Sequence, residues 1–577
     1  MLNDALLRQT DGFQGIVTHQ KIEAVGERVN QTFDFVIVGA GAAGCLLANR
    51  LSEDPTLTVC LIEAGPPDRN PYIHIPAGFI KVGHDPNYTW DLHTEPTEQT
   101  HGREVTTRMG RTLGGSSSIN GFNYTRGAAL DYDAWAALGN PGWSYREVLP
   151  YFKRTERRIG QADPVFRGTD GLLPITDCDW HHPLCDAFIA GAREHGLPSH
   201  IDYNGANQRG AGYYQRWIHQ GKRISAAKAF LKPAMGRKNL TVITNAQVLK
   251  VEFEGKRASG VRYNRQGQGS VEIISARREV VLSAGAANTP KLLQLSGVGP
   301  ASLLMRHGIN VLHELKGVGE NFQDHYMVRS VVRVKGIKTL NSMARGLPLV
   351  GQICRWMLRK PSILALSPSV CFAFERSSPD IAEPDLQFHF SPGSYAAGIA
   401  GQLDDFEGMT LGFYHTRPKS RGYVRIQSPD ASVLPLVQPN YMQQASDQQV
   451  IINGLRLARQ YLHSQALTAY IERDDFPPET AVSDEELLAC ARERGGTAWH
   501  FMGTCRMGPA NDPSSVVNAE LRVIGLQNLR VVDASIMPNM PSGNTGAPTM
   551  MIAEKAADLI LGRPPLPAVD IETLHQK

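Results

Sequence analysis

The most constraining stretch lies near the start of the chain. Thr32 to Val38 (TFDFVIV) is a short apolar run, and Gly39-Ala40-Gly41-Ala42-Ala43-Gly44 comes directly after it. A helical pattern continues through Cys45 to Leu51, and Thr58 to Ile62 forms a second apolar run closed by Glu63-Ala64-Gly65. Together these spell one β-α-β unit of roughly thirty residues, the expected opening of a dinucleotide-binding fold. Gly39 permits a tight turn, Gly41 lets the backbone approach a pyrophosphate, and Gly44 lets helix and strand pack closely. The helix start, with its free amides and positive dipole end, suits phosphate. Glu63 stands 19 residues after Gly44, at the end of the second strand. Its carboxylate can accept hydrogen bonds from ribose hydroxyls and would repel a 2′-phosphate.

Composition narrows the rest. The chain has 577 residues, 42% apolar and 20% charged, which fits a large globular protein with about four domain-sized units. Lys+Arg number 59 and Asp+Glu 56, a net charge of +3 that is too small to drive nucleic-acid binding. The eight cysteines form no CxxC pair, so free thiols in a reducing compartment are expected rather than a zinc ribbon. Met1 to Asn30 lacks the basic start and apolar block of a signal peptide, and reads as an arm lying on the body. No run of 18 apolar residues predicts a membrane span. The expected location is the cytoplasm, with contact at the inner membrane left open.

Further along, strands are expected at Leu240–Ile243, Arg278–Ser283, Asp385–Phe390, Met409–His415 and Asn528–Val532. Helices are expected within Arg126–Glu156 and Gln215–Ala246, and at Ser446–Tyr470, Ser483–Glu493 and Thr549–Leu561. Thr289-Pro290 reads as a helix start, and Ser296-Gly297-Val298-Gly299 as its stop. Ala344 to Leu366 is both apolar and basic. Leu349, Ile353, Trp356 and Met357 can share one helical face, with Arg355, Arg359 and Lys360 toward another, which fits a body-packed helix, a lid or a lipid-contacting patch.

Three further blocks carry the chemistry. Gly110-Arg111-Thr112-Leu113-Gly114-Gly115-Ser116-Ser117-Ser118-Ile119-Asn120 is dense in Gly and Ser, so amides and hydroxyls can crowd a flat or anionic ligand. Ser283 to Gly299 (SAGAANTPKLLQLSGVG) places small residues after a strand. The chain closes with Ala498-Trp499-His500-Phe501-Met502-Gly503, Val531-Val532-Asp533-Ala534-Ser535 and Gly543-Asn544-Thr545-Gly546. In this order, over about Phe33 to Gly562, these blocks resemble the glucose–methanol–choline (GMC) family of flavoprotein oxidoreductases, in its choline-dehydrogenase-like and alcohol dehydrogenase/oxidase branch.

The resemblance implies an α/β fold: a discontinuous Rossmann-like FAD-binding domain (residues 32–131, 225–325 and 500–563). An α+β substrate domain on an antiparallel sheet (132–224 and 326–499) completes it, between an N-terminal arm (1–31) and a C-terminal tail (564–577). It implies that Gly39, Gly41, Ala42, Ala43 and Gly44 hold the FAD pyrophosphate and Glu63 with Ala64 the ribose. Arg111, Gly114, Gly115, Ser116, Asn120 and Gly121 would run along the flavin. Val248 would lie near the adenine, and Ala284, Asp533, Ala534 and Thr545 near the pyrophosphate and isoalloxazine. His500 and Asn544 match the family's catalytic pair. A neutral imidazole suits removal of a hydroxyl proton, and an amide N–H suits the oxygen as it becomes alkoxide-like.

Departures from the family pattern narrow these expectations. Ile119 stands where relatives with covalent FAD carry His, so FAD is expected to be noncovalent. Met327 stands near the Glu of choline-oxidising members, which disfavours choline. Trp499 and Phe501 flank His500 as an expected aromatic collar for an apolar or aromatic primary alcohol, with ordinary core packing as the alternative, and His389 matches a pocket-lining His. Oxygen and a quinone-type acceptor both remain compatible, no metal is implied, and the oligomeric state stays undetermined. A flavin-dependent lyase on the same scaffold (fatty-acid photodecarboxylase or hydroxynitrile lyase) is the alternative function, and a non-catalytic flavin-binding protein ranks last.

Overall fold

The structure is a computed structural model that describes residues 31–199, 202–265, 271–396 and 402–570. The expected N-terminal arm therefore lies outside the described residues apart from Gln31, which opens the first strand, Gln31–Val38.

That strand is central to the first sheet. In space the order runs Leu240–Ile243, Val59–Ile62, Gln31–Val38, Val271–Leu282, Arg257–Arg265, Ala246–Glu254, and Leu529–Val531 also lies beside Val271–Leu282. The first four strands and Leu529–Val531 pair in parallel, and residues 246–282 form an antiparallel meander. Parallel strands are covered on both faces, which explains their unbroken apolar runs: Val36, Ile37, Val59, Cys60 and Leu61 are fully buried. Helices Ala42–Leu51 and Gly546–Leu561 pack against each other over this sheet.

Two expectations change here. The strand expected at Arg278–Ser283 spans Val271–Leu282. Its added first half alternates between buried and half-exposed residues, so it lacks the continuous apolar signal of the second half. The helix expected to start at Thr289-Pro290 starts at Gly285 and carries Pro290 inside it. Proline removes the amide that would bond the Ala286 carbonyl. The Thr504 hydroxyl donates to that carbonyl instead, at 2.6 Å, so the helix runs on without an orphaned acceptor.

The second sheet is antiparallel, in the order Ile471–Phe476, Tyr326–Val334, Gly408–His415, Leu386–Ser391, Cys371–Glu375, Gly210–Tyr213. One face packs Val328, Val332, Phe388, Phe390 and Phe413 against helices Pro183–Glu194 and Ala445–Leu462. Because side chains alternate along a strand, His325, Met327 and Arg329 project from the other face. Across the sheet, Met327, Tyr414 and Gln387 form one row, and Arg329, Gly412 and His389 the next.

A fully buried ion triad, Arg126–Glu156–Arg167, ties the segment after the Gly/Ser-rich loop to the strand Glu156–Ile159. Among the described residues no helix is long and apolar enough to cross a membrane, and the eight cysteines form no disulfide.

Candidate active site

The glycines near the first strand show why those residues are needed. Gly39 has φ +98°, and a Cβ there would meet the Ser283 carbonyl oxygen at 2.5 Å. A Cβ on Gly44 would lie 1.9 Å from the Gly39 oxygen. Gly41 differs: the nearest protein atom to its Cβ position is 3.8 Å away, so its missing side chain leaves open space at the helix start. Ala42 and Ala43 begin the helix behind it. Gly114 donates its N–H to the Ala40 carbonyl at 2.7 Å, which lays the Gly/Ser-rich loop across this turn. Glu63 accepts from the Ala40 and Gly65 amides, each at 2.8 Å, and burial pushes its pKa up to about 7. One lone pair on each of its oxygens remains for a ligand hydroxyl. Next to it, Ala246 donates to the Glu63 carbonyl, which brings the strand that carries Val248 to the same edge. An open cradle at a helix N-terminus, with an acceptor carboxylate beside it, fits a dinucleotide.

The Gly/Ser-rich loop is fixed from inside. Ser117 and Ser118 donate to the Gly114 and Leu113 carbonyls, and Ser116 Oγ accepts from the Gly110 amide. Arg223, fully buried, donates to the carbonyls of Ser117 and Asn120. Desolvation lowers its pKa to about 9. Arg111 stacks over Trp90, and Gly121 packs so closely that a Cβ would meet Pro368 at 2.8 Å. Asp533 accepts from the Gly285 amide and the Thr289 hydroxyl through one oxygen and from the Ser535 amide through the other, which locks Ala284 and Ala534 together.

His500 and Asn544, 44 residues apart, come together. Asn544 Nδ2 lies 3.0 Å from His500 Nε2. The amide is oriented by its oxygen, which accepts from the Thr125 hydroxyl at 3.0 Å and from Gln387 Nε2 at 3.3 Å. On the other side of the ring, His500 Nδ1 lies 2.8 Å from His325 Nδ1. His325 Nε2 lies 2.9 Å from the Thr416 carbonyl, which can only accept. His325 is fully buried, and desolvation pushes its pKa down to about 3, so it is neutral. Its single proton therefore sits on Nε2, its Nδ1 accepts, and His500 must donate from Nδ1. His500 Nε2 keeps its lone pair, which accepts from Asn544 Nδ2. Burial, and then the neighbouring His325 and His389, hold the His500 pKa well below its ordinary value.

The backbone at His500 is also held. Asp324 Oδ1 accepts its amide at 2.7 Å, and Oδ2 accepts from the hydroxyls of Tyr441 and Thr497. Burial pushes the Asp324 carboxyl up to about 6. Trp499 takes φ +60°, with its amide bonded to Thr497 Oγ1, and this kink turns His500 inward. Neither His325, Asp324 nor Tyr414, whose ring lies 4.2 Å from that of His325, stands out in the sequence. The family pattern draws attention to Met327, two positions beyond His325, and gives the Gln323-Asp324-His325 run itself no role.

The aromatic collar is not formed. Trp499 turns outward and is 48% exposed. Phe501 is buried against Phe322 in a cluster with Leu92, Ala286 and Val424. Among the described residues neither ring contacts His500, because positions 499 and 501 point away from the side on which 500 points. Met327 and His389 do lie on the sheet face beside the pair. His389 Nδ1 is 3.0 Å from the Tyr214 hydroxyl, and burial lowers its pKa to about 3. Thr545 caps the helix Gly546–Leu561 next to Asn544.

This arrangement has relatives. GMC oxidoreductase profiles match residues 33–327 and 418–553. The chain belongs to the GMC oxidoreductase family. GMC oxidoreductases are FAD flavoproteins acting on CH–OH donors. The chain is 39% identical over 540 residues to an alcohol dehydrogenase (acceptor) of Pseudomonas putida, covering 93% of this chain and 97% of that one. It is 41% identical over 544 residues to an oxygen-dependent choline dehydrogenase of Photobacterium profundum, with 93% and 94% covered. The crystal structure of pyridoxine 4-oxidase from Mesorbium loti superposes with a TM-score of 0.82 at 33% identity, covering 92% of this chain and 100% of that one.

Proposed function

We propose that this GMC oxidoreductase oxidises a primary alcohol to the aldehyde, with His500 as the base that takes the hydroxyl proton. The observation that carries this reading is the proton order in the Thr416–His325–His500–Asn544 chain, which leaves His500 Nε2 as an acceptor. A hydroxyl that takes the place of the Asn544–His500 hydrogen bond donates its proton to Nε2 and accepts from Asn544 Nδ2. Asn544 then steadies the oxygen as negative charge grows on it. His500 needs no prior deprotonation, because its site holds it neutral. Asp324 and Trp499 fix the backbone from which the imidazole projects.

FAD would be held by Gly39, Gly41, Gly44, Glu63, Gly115, Asp533 and their neighbours, noncovalently since Ile119 offers no nucleophilic atom. When bound it supplies the hydride acceptor for the carbinol carbon. Met327 is a neutral side chain on the floor beside the pair, a poor partner for a quaternary ammonium, so choline is disfavoured. The proposed substrate domain, 132–224 and 326–499, is supported by the antiparallel sheet, whose strands all fall within those ranges. The acceptor that would reoxidise the bound group is oxygen or a quinone-type molecule.

The test is anaerobic visible spectroscopy of the holoenzyme with a panel of primary alcohols, and then exposure to air. Bleaching near ~450 nm, the usual flavin band, is expected. His500→Ala should slow it by roughly 10²- to 10⁴-fold. Unchanged bleaching in that variant removes His500 from its role.

A peripheral contact with anionic lipid fits the helix Gly346–Met357, in which no residue is buried. Met357, expected to share a face with Leu349, Ile353 and Trp356, instead points outward at 68% exposure with Leu347 at 86%, while the other three lean on the body. Trp356 donates to the Gly221 carbonyl. Arg345, Arg355, Arg359 and Lys360 flank the outward stripe, and the segment 344–366 contains no acidic residue. This pairing of apolar stripe and basic rim matches an anionic bilayer surface. Flotation with vesicles containing anionic lipid, lost in Leu347→Glu/Met357→Glu, is the expected result, and failure of the wild type to float removes the contact.

A further inference from the structure

Arg329 stands apart from the arginines that tie the body together. Arg126 and Arg167 share Glu156, Arg209 pairs with Glu375, and Arg530 pairs with Glu279. Even Arg333, further along the same strand face, pairs with Asp475. Arg329 makes no ion pair or hydrogen bond with any described residue. Arg329 is exposed, yet the atoms crowded around it lower its pKa by desolvation, as for a cation lining a solvent-filled cleft rather than standing on the outer surface. Water can solvate it there, and with no protein partner its donors are free for an anionic ligand.

Its position relates it to the catalytic pair. Met327, Tyr414 and Gln387 form the row that touches the pair: the Tyr414 ring lies 5.5 Å from that of His500, and Gln387 bonds Asn544. Arg329, Gly412 and His389 form the next row, one two-residue step, about 7 Å, further along. Gly412 has no side chain, so the Arg329 stem and the Met327 sulfur close in over it, each 3.5 Å from where a Cβ would stand, and the guanidinium is carried along the His389 row. His389 presents a second orphan. The Tyr214 hydroxyl accepts from Gln387 at 2.8 Å and has two acceptors for its own proton, His389 Nδ1 at 3.0 Å and the Phe388 carbonyl at 3.4 Å; donation to the nearer one puts the His389 proton on Nε2. That Nε2 is buried without a partner, as is the hydroxyl of Ser391, two residues on.

We propose that Arg329 and the Nε2–H of His389 form an anion-binding subsite over Gly412, and that the substrate is an alcohol carrying a carboxylate at its far end. This rests on the reading of His500 as the base for alcohol oxidation. The spacing fits an ω-hydroxy acid whose carboxylate lies about one strand repeat, ~7 Å, or somewhat more from the carbinol carbon. The guanidinium supplies paired donors to the carboxylate and the imidazole a third.

The experiment compares 6-hydroxyhexanoate with 1-hexanol in anaerobic flavin reduction by the holoenzyme, alongside binding of hexanoate, which cannot be oxidised at a carbinol, read as a perturbation of the flavin band. Expected is a preference of about tenfold or more for the hydroxy acid. Arg329→Met should abolish it while leaving FAD content and 1-hexanol reduction near wild type, Arg329→Lys should keep part of it, and hexanoate binding should weaken in step. Reduction by both compounds without preference, or a preference that survives in Arg329→Met, overturns the subsite and leaves alcohol oxidation standing. If neither compound bleaches the flavin, the alcohol reading falls for this class, and hexanoate binding decides the subsite: retained in wild type and lost in Arg329→Met supports it, no binding at all overturns it.

Discussion

Replacing His325 probes the proton order directly. His325→Leu keeps an apolar side chain of similar bulk in a fully buried position but removes the acceptor 2.8 Å from His500 Nδ1. The Nδ1–H of His500 is then buried without a partner, at about 1–3 kcal/mol. That free energy is what favours the tautomer with Nε2 open, so its loss lets the proton move to Nε2 and blocks the base. The expected effect is a fall of about 10- to 100-fold in the rate of flavin reduction by whichever primary alcohol the wild type accepts. His325→Gln retains an amide oxygen for His500 and an N–H for the Thr416 carbonyl, and should recover most of the rate. The assay is anaerobic stopped-flow reduction, with FAD content and Tm measured on each variant. Wild-type reduction by His325→Leu with its FAD intact refutes the tautomer argument. Equal losses in both variants, matched by equal falls in Tm, would instead mark His325 as packing alone.

The geometry fixes four other outcomes. Gly44→Ala should fail to fold stably, because its Cβ would lie 1.9 Å from the Gly39 oxygen, whereas Gly41→Ala should fold but retain little FAD; absorbance ratios and Tm separate the two. Glu63, at about 7 in the cofactor-free fold against an ordinary 4.5, binds its proton more tightly folded than unfolded. The cofactor-free protein should therefore lose about 3 kcal/mol as pH rises from about 4.5 to about 7, a slope that denaturant melts should find reduced in Glu63→Gln. The pH profile of flavin reduction should show an acid limb near 6, where Asp324 protonates and releases the His500 amide, and no inflection near 6.5 from His500 itself; Asp324→Asn should remove that limb. Glu156→Gln leaves Arg126 and Arg167 without their shared carboxylate and should destabilise the chain by about 3–5 kcal/mol in chemical denaturation.

The parts of this fold visible in the sequence are those dictated by local rules. The β-α-β opening, the parallel strands with continuous apolar runs and the helix Ala445–Leu462 announce themselves by period and by glycine placement. His500 and Asn544 are visible only through family resemblance, since neither spacing nor composition says that they meet. His325 is hidden because its role depends on a contact 175 residues away in sequence and on a carbonyl at Thr416. Pro290 gives a false helix start because the hydroxyl that replaces the lost amide comes from Thr504. The collar of Trp499 and Phe501 fails for a stereochemical reason: neighbours in an extended or kinked segment point away from the residue between them.

The strand Leu529–Val531 and the helix Gly546–Leu561 complete a sheet and a helix layer begun at Gln31 and Ala42. For biosynthesis this means that segments far apart in sequence must meet before the proposed cofactor site exists. Until the segment from Leu529 to Leu561 leaves the ribosome, the helix Ala42–Leu51 lacks the surface that covers it, Asp533 is absent, and Asn544 has not been made. The nascent chain must keep that apolar helix face from other partners throughout synthesis. Flavin capture is thus a late event that waits for synthesis of the segment Leu529 to Leu561, and products terminated before it should be colourless and proteolytically fragile rather than partly active.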